Sequence, residues 1–158
     1  MIISIDWQGT SKEYFTDMRP IYENEENISN EVEVAGQIAK AWAMETVKLK
    51  RLYPFDWGVV DSRTKQVVGF IEIKCRTNPS SQYPTYMISA EKVRWAIDTT
   101  ITFAVRCFIA VKWTDMTGVH RVNPDSKYHL FMGGRDDRND SQDIEPVCLI
   151  PIRLFDVL

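Results

Sequence analysis

Asp56, Glu72 and Lys74, two carboxylates and one ammonium group, lie within residues 53–76 at a spacing that could bring them together. Side chains alternate along a β-strand, so Glu72 and Lys74 share one face of a strand, opposite Ile71 and Ile73. Residues 62–65 are typical of a hairpin turn with its apex near residue 64, which places Asp56 opposite Glu72. The spacing therefore predicts one small patch that holds both carboxylates and the ammonium group.

Carboxylates that face each other across two strands repel, by several kcal/mol at about 4 Å, unless a cation lies near them. Lys74 is one such cation. A divalent metal held by Asp56, Glu72 and the backbone carbonyl of Ile73 is another. A register shifted by one residue would set Asp56 against Ile71 and mix the polar and apolar faces. The alternative is a solvated strand face without chemistry, but the surrounding apolar residues favour the functional interpretation.

A helix is expected over residues 30–43, with Asn30 as its N-cap. Its apolar stripe has Glu31 at the centre, whereas Glu33 points nearly to the opposite side. A carboxylate on a buried stripe is costly unless a charged group lies nearby. The alternative is that Glu31 favours the helix N-terminus electrostatically and is exposed there.

The remaining pattern places strands before and after a second helix. A strand is expected at 46–50, the hairpin follows, and 77–84 is a loop that precedes a short extended piece at 85–88. Ser89 caps a second helix that carries Lys92. The apolar run 104–113 is expected to be a central strand, and further strands are expected near 119–122, 128–132 and 147–152. The element order is thus helix, three strands, helix and strand, which is an α/β arrangement.

Asp56 followed by Glu72, Ile73 and Lys74, after an N-terminal helix, resembles the PD-(D/E)XK nuclease superfamily. The first half of the motif is present as Pro54-Phe55-Asp56, with one residue inserted between proline and aspartate. The resemblance covers residues 30–113. It implies a restriction-endonuclease-like α-β-β-β-α-β core, in which a central mixed sheet is flanked by helices, with extra C-terminal strands. It suggests a small phage-type or resolvase-like member.

The resemblance implies a role for each residue of the patch. Asp56, Glu72 and the Ile73 carbonyl would bind Mg²⁺, for which Mn²⁺ would substitute, because hard oxygen ligands suit these ions. Lys74 would orient or deprotonate the attacking water, which is easier if its neighbours and partial burial lower its pKa. Glu31 would ligate a second metal or hold a water molecule, with Glu33 in reserve.

The resemblance also implies two sets of DNA contacts. Lys92 would lie near the scissile phosphate, although a solvated lysine on a surface helix is the alternative. The loop of residues 133–143 carries Arg135 and Arg138, which could bind a phosphodiester backbone. The alternative for this loop is a solvated segment. It lacks the glycine and glutamate positions of an EF-hand, so a calcium site is rejected.

Length and composition limit the remaining possibilities. The 158 residues are expected to form one nuclease-like domain, with an N-terminal extension at 1–29, a catalytic core at 30–113, and C-terminal strands with a charged loop at 114–158. The segment that contains Glu23, Glu25 and Glu26 is interpreted as a solvated acidic stretch before the domain. No membrane span or signal peptide is evident, so a cytoplasmic protein is expected. The three cysteines are expected to be reduced core thiols.

The expected activity is Mg²⁺-dependent hydrolysis of DNA, with structure-selective or weak sequence preference. The net charge of −3 counts against DNA binding, but not heavily, since a local basic face is compatible with it. A homodimer would favour a resolvase, which cuts two strands symmetrically. The alternative is a catalytically inactive nucleic-acid or protein-binding module on the same fold.

Overall fold

A computed structural model describes residues 25–134 and 144–158. A six-stranded sheet forms its centre, in the order β1-β2-β3-β5-β6-β9. These strands are β1 Glu45–Lys48, β2 Trp57–Val60, β3 Val67–Cys75, β5 Arg106–Lys112, β6 Thr117–Arg121 and β9 Asp156–Val157. β3 and β5 run parallel, and the other neighbouring strands run antiparallel. The central sheet is therefore mixed, as predicted.

One helix covers each face of the central sheet. Helix α1, Glu25–Trp42, packs Val34, Ala35 and Ile38 against Ile71 and Ile73 of β3. Helix α2, Ala90–Phe103, packs Val93 and Ala96 on the opposite face, together with alternate residues of β5. Alternation along each strand separates the two clusters, because successive side chains point to opposite faces. The predicted α/β fold, with helices flanking a mixed sheet, is confirmed.

Helix α1 begins at Glu25, so the prediction that Asn30 is its N-cap is wrong. The side chain of Asn30 instead accepts a hydrogen bond from Lys112 Nζ at 3.1 Å. Glu25 and Glu26, interpreted from the sequence as a solvated stretch before the domain, belong to the first helical turn. Ala43 then leaves the helix with a positive φ of 52°.

The hairpin of β2 and β3 has the predicted register, with Trp57 opposite Ile71. Its turn is stabilised by Asp61, whose carboxylate accepts hydrogen bonds from the backbone N–H groups of Arg63 and Thr64. A register shift between Val59 and Val60 lies next to this turn. It leaves the pairing near Asp56 unchanged. Period-two alternation therefore predicted which residues of the two strands face one another.

Strands β4, β7 and β8 form a second sheet, in the order β4-β8-β7. The strands are β4 Thr85–Ser89, β7 Leu130–Gly134 and β8 Ile144–Pro151. They include the C-terminal strands that the sequence predicts, and the extended piece at 85–88 pairs with β8 rather than with the central sheet. All three cysteines are free thiols. No helix in the described ranges is long and apolar enough to cross a membrane.

Candidate active site

Asp56, Glu72 and Lys74 meet at the end of the β2–β3 hairpin, as predicted. Asp56 lies one residue before β2, and its N–H donates a hydrogen bond to the Ile71 carbonyl at 3.1 Å. Its Oδ2 atom accepts a hydrogen bond from the Ile73 N–H at 2.8 Å. Lys74 Nζ lies 3.8 Å from the same oxygen and 2.7 Å from Glu72 Oε1. One strand thus supplies a carboxylate and an ammonium group, and the adjacent loop supplies the second carboxylate.

Glu72 is buried, with only 2 % of its surface exposed, which excludes the solvated strand face. Its two carboxylate oxygens face different lysines. Oε2 accepts a hydrogen bond from Lys92 Nζ at 2.9 Å. Oε1 lies 2.7 Å from Lys74 Nζ, so each oxygen of this buried carboxylate is paired with one ammonium group. Burial of a carboxylate is costly, and these two cations offset that cost.

The neighbours of Lys74 do not lower its pKa, which is the condition that would make it easier for Lys74 to deprotonate a water molecule. Burial alone would lower the pKa of Lys74, but the negative charges of Glu72 and Asp56 outweigh burial and raise this pKa above the ordinary lysine value. The net direction follows from two carboxylates acting on one ammonium group. Lys74 is therefore a cation in this arrangement, suited to attract a phosphate and to orient a water molecule.

The backbone of Ile73 completes an oxygen-rich corner beside Asp56. Within a strand the N–H and C=O of one residue point to the same side. The Ile73 N–H donates to the Asp56 side chain. The N–H of Arg76, three residues further along the chain, points to the other edge of the strand and donates to the Lys112 carbonyl of β5. The Ile73 carbonyl is therefore directed toward Asp56 at the point where β2 has not yet begun. Together with Glu72 Oε1, these are oxygen donors of the kind that hard divalent cations bind.

Lys92 lies in the site and is not a solvated lysine. Its ammonium group donates hydrogen bonds to Glu72 Oε2 at 2.9 Å and to the Pro54 carbonyl at 3.0 Å. α2 places it there because Lys92 stands in the first turn of the helix, next to the buried Val93. The two lysines together balance the two carboxylates in charge.

Glu31 does not join the two carboxylates in the structure. Its Oε2 pairs with Lys48 Nζ at 2.5 Å, and its side chain is 14 % exposed. In the described ranges no group of three histidine, cysteine or acidic side chains is close enough to hold a metal ion. Glu33 is half-exposed, but its carboxylate pairs with Lys112 of β5 at 2.6 Å, so it does not point away from the sheet as expected. The assignment of Glu31 as a metal ligand stays a prediction.

The predicted DNA-contacting residues Arg135 and Arg138 lie outside the described residues. The strands on either side of them reach the active site. A cleft of about 340 Å³ is lined by residues of the site and of these strands, among them Lys74, Arg76, Tyr86, Lys92, Gly134 and Glu145. We call this cavity the catalytic cleft.

Arg76 and Tyr86 are residues of the cleft to which the sequence interpretation gave no role. The guanidinium group of Arg76 lies over the Tyr86 ring, 5.1 Å from its centroid, and donates a hydrogen bond to the Tyr86 hydroxyl at 2.9 Å. Arg76 is two residues beyond Lys74. Alternation along a strand therefore puts both side chains on one face, and this spacing could have identified Arg76 from the sequence. Tyr86 reaches the cleft through the pairing of β4 with β8, which carries no local sequence signal.

Comparisons with known proteins agree with the fold and with the predicted superfamily. A family model described as "Phage putative PDDEXK endonuclease" matches residues 17–158. The fold is similar to the structure of Archaeoglobus fulgidus Hjc, a Holliday junction resolvase from an archaeal hyperthermophile, with a TM-score of 0.57. That similarity covers 85% of this chain and 93% of that chain at 14% identity, and it shows the fold alone. No curated protein matches the sequence. Because the family model spans most of the sequence, the chain belongs to the phage PDDEXK endonuclease family, within the predicted PD-(D/E)XK superfamily.

Proposed function

We propose that this chain is a Mg²⁺-dependent endonuclease that hydrolyses DNA phosphodiester bonds. The observation that carries the proposal is the buried Glu72 carboxylate, which lies in one patch with Asp56 and the Ile73 backbone. These three groups would hold the metal, with Mn²⁺ as a substitute for Mg²⁺ and Glu31 as a ligand of a second ion. The bound ion would supply Lewis acidity that neutralises charge developing on the phosphate.

The lysines of the site would act on the substrate directly. Lys74 lines the catalytic cleft, where its ammonium group would orient the attacking water and stabilise negative charge. Lys92 lines the same cleft and would contact the scissile phosphate. The strand and helix that carry them are held by the Glu72 ion pairs, so both cations are in position before the substrate binds.

The preferred substrate in this proposal is branched or single-stranded DNA, with weak sequence preference. The similarity of the fold to a Holliday junction resolvase supports this choice. Symmetric cutting of two strands needs two active sites, so the resolvase version also requires a homodimer. Sedimentation of the protein with and without a four-way junction tests that version. A monomer in both cases would exclude it, while leaving a monomeric nuclease in place.

The central experiment measures cleavage of supercoiled, linear, single-stranded and four-way-junction DNA with Mg²⁺, Mn²⁺ or EDTA. We expect metal-dependent cleavage that falls by about a hundredfold or more in Asp56→Asn and in Lys74→Ala, since each removes a group that acts on the reaction. Asp61→Asn is the matched control, because this exposed carboxylate stabilises the hairpin turn at the other end of β2. Full activity of Asp56→Asn would refute the proposal.

A second candidate is a catalytically inactive nucleic-acid or protein-binding module on the same fold. The charge balance of the site favours it, because Lys74 and Lys92 already neutralise Glu72 without a metal. In that case Asp56→Ala and Lys74→Ala would leave binding intact, whereas changes of Arg135 and Arg138 would abolish it. Binding measured by fluorescence anisotropy, alongside the cleavage assay, separates the two functions.

A further inference from the structure

A second cavity adjoins the catalytic cleft and has a different chemical character. It has a volume of about 410 Å³, within the range of about 300–1,000 Å³ that is typical of small-ligand sites. Its lining is mostly apolar and aromatic, with one cation and one amide, and includes Arg76, Asn78, Tyr83, Met87, Trp113 and Ile152. We call it the side cavity. Nothing in the proposed hydrolysis step uses it.

The side cavity and the catalytic cleft share Arg76, Tyr86 and Met87. Arg76 is therefore the boundary between them, with its guanidinium group held against the Tyr86 ring and hydroxyl. An arginine that is fixed in this way is well suited to bind a phosphate, because its donors are already oriented. A phosphate on Arg76 would be a neighbour of the scissile phosphate in the catalytic cleft.

The wall of the side cavity is a loop between β3 and β4 that is fixed on both sides. Asp115 accepts hydrogen bonds from the Ser80 backbone N–H at 2.7 Å and from the Ser80 hydroxyl at 2.8 Å. The backbone N–H of Thr114 donates to the Asn78 carbonyl at 3.2 Å, and that of Ile152 donates to the Pro84 carbonyl at 3.0 Å. A wall anchored in this way is preorganised, so little ordering cost arises when a ligand binds.

Tyr83 is the aromatic residue that this wall offers to a ligand. It is 59 % exposed, whereas Tyr86 and Trp113 are each only 5 % exposed and form the interior of the cavity. Its hydroxyl accepts a hydrogen bond from the Gln82 side chain at 3.1 Å. An exposed ring on an anchored loop, beside a cation and an amide, is suited to stack a planar heterocycle.

We propose that the side cavity receives one unpaired nucleobase of the DNA substrate, next to the scissile phosphate. The base stacks on Tyr83, the Asn78 amide faces its polar edge, and Arg76 binds the phosphate that connects it to the nucleotide in the catalytic cleft. A base within a duplex is stacked and paired, so only a single-stranded, flipped or branch-point nucleotide enters. The inference rests on the proposed function, because it takes the substrate to be DNA, and it gives a physical basis for structure selectivity.

The test is a double-mutant cycle between Tyr83 and the DNA. A fluorescent single-stranded oligonucleotide carries one abasic site, moved along the strand, and binding is measured by anisotropy in Mg²⁺. The protein carries Asp56→Asn so that the DNA stays intact. At one position along the strand, the abasic site should weaken binding to the protein with Tyr83 about tenfold, as expected for the loss of one stacking contact. The same abasic site should leave binding to the Tyr83→Ala protein unchanged.

Two further variants make the outcome specific. Tyr83→Phe keeps the ring and should bind as Tyr83 does. Tyr53→Ala is the matched control, since Tyr53 is a similarly exposed tyrosine, 57 % exposed, that lines a separate apolar cavity with Phe55 and Trp95. Duplex DNA should bind equally to the Tyr83 and Tyr83→Ala proteins. A Tyr83→Phe protein as weak as Tyr83→Ala would overturn the stacking role.

The failure of this inference is distinguishable from the failure of the proposed function. Cleavage by the unmodified protein, with no abasic position that depends on Tyr83, would overturn the nucleobase site alone. An abasic position coupled to Tyr83, with no metal-dependent cleavage of any DNA, would overturn the nuclease function and support the nucleobase site. A single position that shows the coupling also locates the bound nucleotide relative to the cut.

Discussion

Glu72 and Lys92 form an ion pair that connects the central sheet to helix α2, with 2.9 Å between Glu72 Oε2 and Lys92 Nζ. The same ammonium group donates a hydrogen bond to the Pro54 carbonyl at 3.0 Å. Pro54 lies two residues before Asp56, so one lysine joins both carboxylate-bearing segments to the helix. The position of the site therefore depends on α2, although neither carboxylate belongs to that helix.

The first prediction concerns Lys92→Met, which keeps the length of the side chain and removes the charge. We expect the free energy of unfolding to fall by about 1–3 kcal/mol, because the buried Glu72 loses a charged hydrogen-bond partner. Part of this loss should be recovered in Mg²⁺, since the ion would neutralise the same carboxylate. Urea denaturation with and without Mg²⁺ measures both effects.

The matched control for Lys92→Met is Arg94→Met on the same helix. Arg94 forms an exposed ion pair with Asp98 at 3.2 Å, and such surface pairs contribute about 0–1 kcal/mol. The change in Arg94→Met should be correspondingly small and independent of Mg²⁺. Equal losses in the two variants would contradict the structural role assigned to Lys92.

The second prediction concerns Glu31 and its partner Lys48. If Glu31 contributes to metal binding, it must exchange the Lys48 ammonium group for the ion, because the two are paired at 2.5 Å. Glu31→Gln should then raise the Mg²⁺ concentration needed for half-maximal cleavage, and Lys48→Met should lower it. Titration of cleavage rate against Mg²⁺ measures the shift. Glu33→Gln, which changes an exposed carboxylate of the same helix, should leave the titration unchanged.

Local patterns were sufficient to predict the fold core and the central trio. Trp57 faces Ile71 as alternation predicted, because only that register keeps apolar side chains on one face of both strands. The pairing of Lys48 with Glu31 was not predictable, since it depends on how α1 crosses β1. The direction in which the pKa of Lys74 shifts could not be predicted either. Its value reflects a balance between burial and two carboxylates, and the distances that decide this balance are properties of the folded chain.

The pairing partners of the C-terminal strands could not be predicted from the sequence either. Their existence was predicted from apolar runs, but not that β8 pairs with β4 and thereby places Tyr86 next to Arg76. Antiparallel pairing between segments far apart in sequence leaves no periodic mark on either segment. The side cavity, which these strands help to form, could therefore be found only from the structure.

The third prediction concerns Asp115, which holds the loop that forms the wall of the side cavity. The backbone N–H of Ser80 lowers the pKa of Asp115, which shows that the carboxylate is the favoured state of this contact. Asp115→Ala should speed amide hydrogen exchange in residues 77–83, because the loop loses two hydrogen bonds. Exchange measured by mass spectrometry tests this. Asp125→Ala, in an exposed turn elsewhere, should leave the same peptide unchanged.

The Asp115→Ala variant should also change DNA binding, because it loosens the loop. Asp115→Ala should weaken binding of single-stranded DNA, because part of the binding energy must then order the wall. The affinity for duplex DNA should stay the same. Faster exchange in 77–83 together with unchanged single-strand affinity would show that the anchored wall does not contribute to binding.

The fourth prediction concerns the pH dependence of stability and the buried His120. Its Nδ1–H donates to the Leu154 carbonyl at 3.0 Å, and its Nε2 lies 3.1 Å from the Tyr128 hydroxyl. Burial lowers the pKa of His120 below the ordinary histidine value, although the bond to Leu154 acts in the opposite direction. The folded protein therefore takes up this proton at lower pH than the unfolded chain does. Stability is complete above about pH 6.5, the ordinary value, and falls as the pH decreases below it.

Urea denaturation at pH 7.5 and pH 5.5 measures this effect. We expect the unmodified protein to be less stable at pH 5.5, and the difference between the two pH values to shrink in His120→Gln, which has no titrating group. His129→Gln is the control, because His129 is the other histidine of the chain and is exposed. It should keep the full difference. The assignment to His120 would be wrong if His120→Gln retained the same loss of stability on acidification as His129→Gln, since carboxylates alone would then account for it.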